Sequence, residues 1–278
     1  MTPNANNPVN FKNIVTSQFG EDGIIEEIFK RIGTENKFCV EFGAWDGKWL
    51  SNTWDLWHNK EWSALLIEGD AERCQSLERD LQGFEKVRSY QAYVAIEGED
   101  SLDNILTRMD APSNLDLLSI DIDSDDYYIF ESLQDFKPRL LVIEYNPTIP
   151  PEIDLIQERG EYFGASALAL VNLARKKGYG LVCCTDSNCF FVLQSEYPKL
   201  NIAEPSLEEV FVRDHLTYVI TSADGRPFLS RKPTYVDRID GATLRNLIKS
   251  RRLARFYKHP KLIVRGPEDV RPIRLFYA

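Results

Sequence analysis

Residues 39–47 read "CVEFGAWDG". An apolar, strand-like run from Phe38 to Val40 stops on an acid, Glu41, and the chain then drops two side chains, at Gly43 and Gly47. In an open α/β sheet, ligands lie beyond the carboxyl ends of the strands, at the turn into the following helix. Glycine lets backbone approach a ligand closely, and the helix that follows presents unpaired N–H groups. The turn has the form E-x-G-x-x-x-G. It is neither GxGxxG nor a GxxxxGK[ST] phosphate loop, and it sets a carboxylate where those loops favour positive charge. Such a mouth suits a ligand that is itself cationic.

Outward from this turn, helical and strand patterns alternate. "EDGIIEEIFKRIG" (21–33) places apolar residues at 24, 25, 28, 29 and 32, a helical stripe closed by Gly33. Strands are predicted at 37–42, 62–70, 86–95, 114–123 and 138–146, with helices at 50–59, 71–81, 101–109 and 126–133 between them. A proline-rich loop (146–164) and a helix (165–178) follow. Two strands, "YGLVCC" and "CFFVLQ", are then separated only by "TDSN". Four residues are too few for a parallel crossover, so this pair must be an antiparallel hairpin. A nicotinamide-binding sheet uses crossovers throughout. The pattern therefore predicts an α/β fold, a mostly parallel sheet with a terminal antiparallel hairpin and helices on both faces. Residues 1–14 read as a polar lead-in to a domain ending near 200. Residues 201–278 read as a basic extension whose clearest helix is "TLRNLIKSRRLARFY" (243–257).

Composition narrows the class. Apolar content of 43% and five tryptophans imply a packed core. No apolar run reaches the length of a membrane span, and the amino terminus lacks the basic start and apolar stretch of a signal peptide. Five cysteines, an odd number without paired CxxC motifs, argue for reduced thiols and a cytoplasmic location rather than a disulfide framework or zinc site. The net charge is −10, but residues 226–278 hold fourteen Lys/Arg against four Asp/Glu, so residues 1–225 carry −20. An acidic body disfavours nucleic-acid binding. The basic tail suits an anionic lipid surface, a polyanionic acceptor or an acidic neighbouring subunit.

Glu68 closes the second strand about twenty residues after the glycine turn, where an acid can accept hydrogen bonds from both hydroxyls of a ribose. A ribose-bearing cation that also suits Glu41 is S-adenosylmethionine, with its sulfonium and ammonium. The ordered motifs "SQFGEDGIIEEIF", "EFGAWDGKWLSNT", "LLIEGD", "LLSIDIDSDD", "LVIEYN", "GASALALVNLARKKGYGLV" and "NCFFV" together resemble the FkbM-like branch of class I S-adenosylmethionine-dependent methyltransferases. The resemblance covers roughly residues 15–195. It implies a Rossmann-like seven-stranded sheet with its last strand antiparallel. It also implies O-methylation, often of sugars in glycans, polysaccharides or natural products. Carried onto this chain, it places Glu41, Gly43, Gly47, Asn52, Thr53 and Glu68 on cofactor-binding motifs, with Gln18 and Asp22 closing over the cofactor.

Methyl transfer to an alcohol needs a base or a metal to raise the nucleophile's reactivity. In "SIDIDSDD", period-two alternation puts Asp121 and Asp123 on one side, and in "VIEYN" it does the same for Glu144 and Asn146. Oxygen ligands of this kind suit Mg²⁺ or another divalent cation, with Asp121, Glu144 and Asn146 as the metal set. The alternative is a metal-free site with Asp121 or Asp123 as general base. Asp125 and Asp126 are expected to cap the following helix. His58, His215 and His259 carry no motif. "NPTIPP" follows the fifth predicted strand and lacks an aromatic residue, which excludes an amino-group methyltransferase motif. The contrasting reading is a catalytically inactive binding or scaffold protein within a glycan-synthesis complex. Burying like charges together argues against it, since a relic gains nothing from them.

Overall fold

The computed structural model describes residues 5–221 and 227–231; the predicted helix at 243–257, most of the basic tail and His259 lie outside the described residues. The chain forms two compact units, Met1–Asp214 and His215–Ala278. The first runs past residue 200, where the sequence pattern places the start of the extension. In chain order it contains α1 (Glu21–Ile32), β1 (Phe38–Phe42), α2 (Trp54–Asn59), β2 (Ser63–Glu68), α3 (Ala71–Asp80), β3 (Val87–Gln91) and α4 (Leu102–Arg108). There follow β4 (Leu117–Ile120), α5 (Asp126–Ser132), β5 (Leu140–Glu144), α6 (Ala167–Lys176), β6 (Tyr179–Cys184), β7 (Asn188–Leu193) and the short α7 (Leu207–Val210). The described part of the second unit includes an antiparallel pair, β8 (Val219–Thr221) with β9 (Pro227–Leu229).

Seven strands form one sheet in the order β3-β2-β1-β4-β5-β7-β6. β1 pairs in parallel with β2 and β4, β2 with β3, and β4 with β5. β7 runs antiparallel to both β5 and β6, so it is the one reversed strand of the sheet. This is the Rossmann-like methyltransferase fold, a seven-stranded, mostly parallel sheet with an antiparallel end. The short link "TDSN" forces the reversal, and β7 inserts between β5 and β6.

Local chemistry explains the elements. Every residue of β1, β4 and of Ala64–Glu68 in β2 is buried, as expected of central strands covered on both faces. Of the two edge strands, β3 is mostly half-exposed and β6 is buried throughout. α1 buries Ile24, Ile25, Ile28, Phe29 and Ile32 and ends as the N–H of Gly33, at φ 72°, donates to Phe29 O. Each fully buried isoleucine contributes roughly 2 kcal/mol. Asp70 and Ser166 cap α3 and α6 by accepting from Arg73 N and Ala169 N. All five cysteines are buried and free. Among the described residues no helix is long and apolar enough to cross a membrane.

Two expectations change. β4 ends at Ile120 rather than 123, and Asp123 adopts a left-handed φ of 59°, so simple strand alternation does not extend to it. Asp125 does occupy the N-cap of α5, but its side chain makes no cap bond. Instead Oδ1 accepts from Gln157 Nε2 and Gly160 N in the proline-rich segment. Asp126 reaches back to Ile122 N and Ser124 N, bracing the turn after β4.

Candidate active site

The carboxyl ends of the four central parallel strands all carry acids: Glu41 in β1, Glu68 ending β2, Asp121 directly after β4 and Glu144 ending β5. Glu41, Glu68, Asp121 and Asp123 line a cavity of about 520 Å³ at this rim, within the size range of small-molecule sites.

The glycine turn is shaped by close packing. Gly43 lines the cavity at φ 76°, and a Cβ there would lie 2.0 Å from Asp121 O, so the ends of β1 and β4 meet backbone to backbone. Gly47, at φ 74°, does not reach the cavity; a Cβ there would sit 2.7 Å from Leu77 Cδ1. Glu41 is buried, and three donors hold its carboxylate. Ser51 Oγ donates at 2.5 Å, Thr53 Oγ1 at 2.7 Å and Asn52 N at 2.7 Å. Burial pushes the Glu41 pKa up, against these three bonds, and the charge of Asp22 adds to the rise. Asn52 Nδ2 donates to Ser119 Oγ on β4. Asn52 and Thr53 thus lie behind Glu41 and fix its orientation; Ser51, which the motif reading does not single out, reaches the cavity wall.

Glu68 joins the neighbouring strand end to the same turn. Its Oε2 accepts from Trp45 N at 2.8 Å and its Oε1 from Asp70 N at 2.9 Å. Each oxygen keeps a further lone pair for a ligand hydroxyl.

Gln18 and Asp22 do not line this cavity. Gln18 is exposed. Asp22 Oδ2 accepts from Val15 N, Thr16 N, Ser17 N and Ser17 Oγ. The segment so fixed bridges to the glycine turn, through Thr16 Oγ1 donating to Ser51 O and a parallel bridge between Ser17 and Leu50. Asp22 therefore stands behind the wall of the cavity.

Asp121, Asp123 and Glu144 bring one carboxylate oxygen each within 4.8 Å of one another. Burial raises the pKa of Asp121 above the usual carboxylate range, and the charges of Asp126, Asp123 and Glu41 add to it. Glu144 is raised likewise, by burial and then by Asp121. Crowded together out of water, the two carboxyls favour their neutral forms more than ordinary ones do. Asp126, braced behind them, is pushed up to about 6, by burial against three backbone hydrogen bonds. Asn146, expected beside Glu144, is turned away. Its Nδ2 donates to Phe163 O, and its Oδ1 accepts from Thr148 N and Thr148 Oγ1. Alternation fails here because β5 ends at Glu144, and Asn146 already belongs to the loop.

The cavity also has an aromatic rim that the motifs do not mark. Trp45 and Trp49 come from the glycine turn, Tyr93 follows β3, and Tyr162 comes from the proline-rich segment. Trp45 and Leu50 sit at φ 50° and 57°, conformations that non-glycine residues adopt at a cost of about 1–3 kcal/mol. Only the two tryptophans could be found from the turn itself; nothing in the spacing points to Tyr93 or Tyr162. His58 is exposed and stacks on Trp54 at 4.0 Å, away from the cavity. Tyr127 is buried, and Tyr128 donates from its hydroxyl to Gln157 O; neither lines the cavity. His215 belongs to the second unit.

The strand ends of this Rossmann-like sheet thus frame an acid-lined cavity. Solved structures similar to this chain include methyltransferases. The N-terminal domain of EvdMO1, crystallised in the presence of SAH and D-fucose, has 13% identity and a TM-score of 0.39, over 62% of this chain and 80% of that one. A putative caffeoyl-CoA O-methyltransferase from Staphylococcus aureus has 16% identity and a TM-score of 0.43, over 66% and 87%. The glycopeptide N-methyltransferase MtfA has 11% identity and a TM-score of 0.40, over 62% and 96%. At these values the likeness carries nothing about substrate or site residues. No family model and no curated protein matches the chain.

Proposed function

We propose that the protein is an S-adenosylmethionine-dependent O-methyltransferase acting on a sugar hydroxyl of a glycan or glycosylated natural product. The observation that carries this reading is the cluster of Asp121, Asp123 and Glu144, their carboxylate oxygens within 4.8 Å of one another at the strand ends, beside a cavity walled by Glu41 and Glu68. S-adenosylmethionine, when bound, supplies an electrophilic methyl group. Glu68, held by Trp45 N and Asp70 N, accepts from ribose hydroxyls. Glu41 gives the turn its shape through Ser51, Asn52 and Thr53 and puts negative charge in the wall. Asp121 accepts the acceptor's hydroxyl proton, and its raised pKa brings it nearer the proton affinity such a base needs at neutral pH. Glu144 tunes it, and Asp123 borders the same point.

The three clustered carboxylates also fit a divalent cation. They are hard oxygen donors, mutually close enough to share an ion. Asp121, Asp123 and Glu144 would hold it, with Asn146 standing aside, and it would acidify a bound hydroxyl. The rim thus supports base catalysis with or without metal assistance. The basic tail remains available for the acceptor's anionic carrier or a membrane surface.

Titration calorimetry with S-adenosylmethionine tests the first part, with binding expected in the range of about 1 μM to 1 mM typical of enzyme substrates. Folded protein that releases no heat at about 1 mM ligand would remove the reading. Turnover in the presence of a chelator separates the two forms of the site: full activity leaves the base alone, and loss restored by Mg²⁺ adds the ion.

A further inference from the structure

The charge in this cavity is unbalanced in a way that a cofactor does not remedy. Glu41, Glu68, Asp121, Asp123 and Asp125 line it, and Glu144 joins the cluster from β5. Among the described lining residues Arg73 is the one basic side chain, and its guanidinium lies 3.7 Å over the Trp45 ring. A donor with a single net positive charge, even joined by a divalent ion, leaves carboxylate in excess. Charges at a partly enclosed rim are weakly screened, so that excess acts on whatever enters next.

The mouth has a second character. Trp49, Tyr93 and Tyr162 line the same cavity while remaining 66%, 74% and 86% exposed. Aromatic faces receive the C–H face of a pyranose ring by dispersion, whatever the charge the sugar carries. Aromatic faces over a field of carboxylates therefore suit a sugar that carries positive charge. They tolerate a neutral sugar and oppose an acidic one.

Building on the methyltransferase reading, we infer that the acceptor is an amine-bearing sugar, and that uronic acids, sulfated sugars and nucleotide-linked sugars are turned away at this cavity by charge. The carboxylates set the sign of the selectivity. The exposed rings supply affinity that does not depend on charge.

Saturation-transfer NMR on the full chain with S-adenosylhomocysteine bound tests this, using D-glucosamine, D-glucose and D-glucuronate as probes. The expected order of affinity is amine over neutral over acid, about tenfold from end to end, narrowing as salt is raised. Asp125→Asn keeps an acceptor oxygen for Gln157 and Gly160, so it should fold while narrowing the spread about two- to threefold. Tyr162→Ala, at a residue almost wholly exposed, should weaken the three probes alike. A reversed order, a spread indifferent to salt, or no transfer to any saccharide from protein that does bind S-adenosylhomocysteine would each overturn the inference alone. Failure to bind S-adenosylhomocysteine removes the methyltransferase reading and the inference with it.

Discussion

Strands β4 and β5 lie side by side, and each carries a charge at both ends. At their amino ends Asp116 precedes β4 and Arg139 precedes β5, both at most 2% exposed. Arg139 Nη1 donates to Asp116 Oδ1 at 2.6 Å and to Gly33 O at 2.8 Å, and Nη2 donates to Ile32 O and Glu196. Asp116 also accepts from the amides of Glu35, Asn36 and Lys37. Burial pulls the Arg139 pKa down, but the bonds from Glu196 and Asp116 carry it above its ordinary value. At the carboxyl ends of the same strands, Asp121 and Glu144 face each other with further acids around them. One end is closed, every charge answered from within the protein. The other is open, with like charges crowded together. A like-charge pair weakens a fold, and its place inside a cavity accords with the ligand-binding role proposed for this end.

The closed end is where substitution should cost the most stability. Arg139→Ala leaves Asp116 buried and uncompensated, and a loss of about 3–5 kcal/mol is expected by urea unfolding. A loss below about 1 kcal/mol would erase the distinction between the ends. Asp121→Asn should do the reverse. It removes one of two crowded charges, so stability should hold or rise, while turnover on a working acceptor drops by about 10²–10⁴ if Asp121 is the base. An Asp121→Asn protein that unfolds as readily as Arg139→Ala would make the upper acids structural too.

Much of this contrast is legible in the sequence, and the illegible part has a physical cause. Apolar runs stopping on Glu41, Glu68 and Glu144 mark strand ends, because a buried parallel strand is nearly all hydrophobic and its first charge falls where cover ends. "TDSN" dictates a reversed strand by length alone. What alternation cannot follow is backbone that has left the strand: Asn146 turns to Phe163 and Thr148, and Asp123 meets its partners through a left-handed residue. The roles within "SNT" are hidden for a related reason. Asn52 and Thr53 share a motif with Ser51, yet only Ser51 faces the cavity, a matter of how α2 begins. Tyr162 joins the rim from a loop long after β5, a tertiary contact with no local signature. Likewise Arg139 reads as an ordinary charged residue before a strand until Asp116, Glu35 and Glu196 are brought to it.

The open end should also show in the dependence of stability on pH. Asp121 and Glu144 are raised, and Asp126 is raised to about 6, in a setting that Asp123 and Glu41 make more negative. A carboxyl whose folded pKa lies above its unfolded value near 4 binds more protons folded than unfolded between those two values. Its contribution is fully present below the unfolded pKa and is lost as pH rises through the folded one. Native stability should therefore fall as pH is raised from about 4 towards 8, by at least on the order of 1 kcal/mol after solvent screening. Asp121→Asn should flatten the slope, whereas substitutions at the Arg139 end should not. A slope unchanged by Asp121→Asn would mean the rim titrates with ordinary carboxylate values.

Glu68 occupies the middle ground and gives the smallest, most diagnostic effect. It stands at the open rim, yet its two oxygens are answered by the protein's own amides, Trp45 N and Asp70 N. Glu68→Gln leaves one carbonyl oxygen for two amides and sets an NH₂ against the other, so the turn loses one charge-assisted bond. Removing one such interaction costs about 1–2 kcal/mol. If Glu68 also serves the cofactor, S-adenosylhomocysteine affinity should drop about fivefold to tenfold by calorimetry, in addition to that loss in the apo-protein. If it serves only to tie β2 to the glycine turn, the cost falls on the apo-protein, and affinity measured on the folded fraction stays put. The division between those two readouts says how far the ligand, rather than the fold, accounts for an acid at the end of β2.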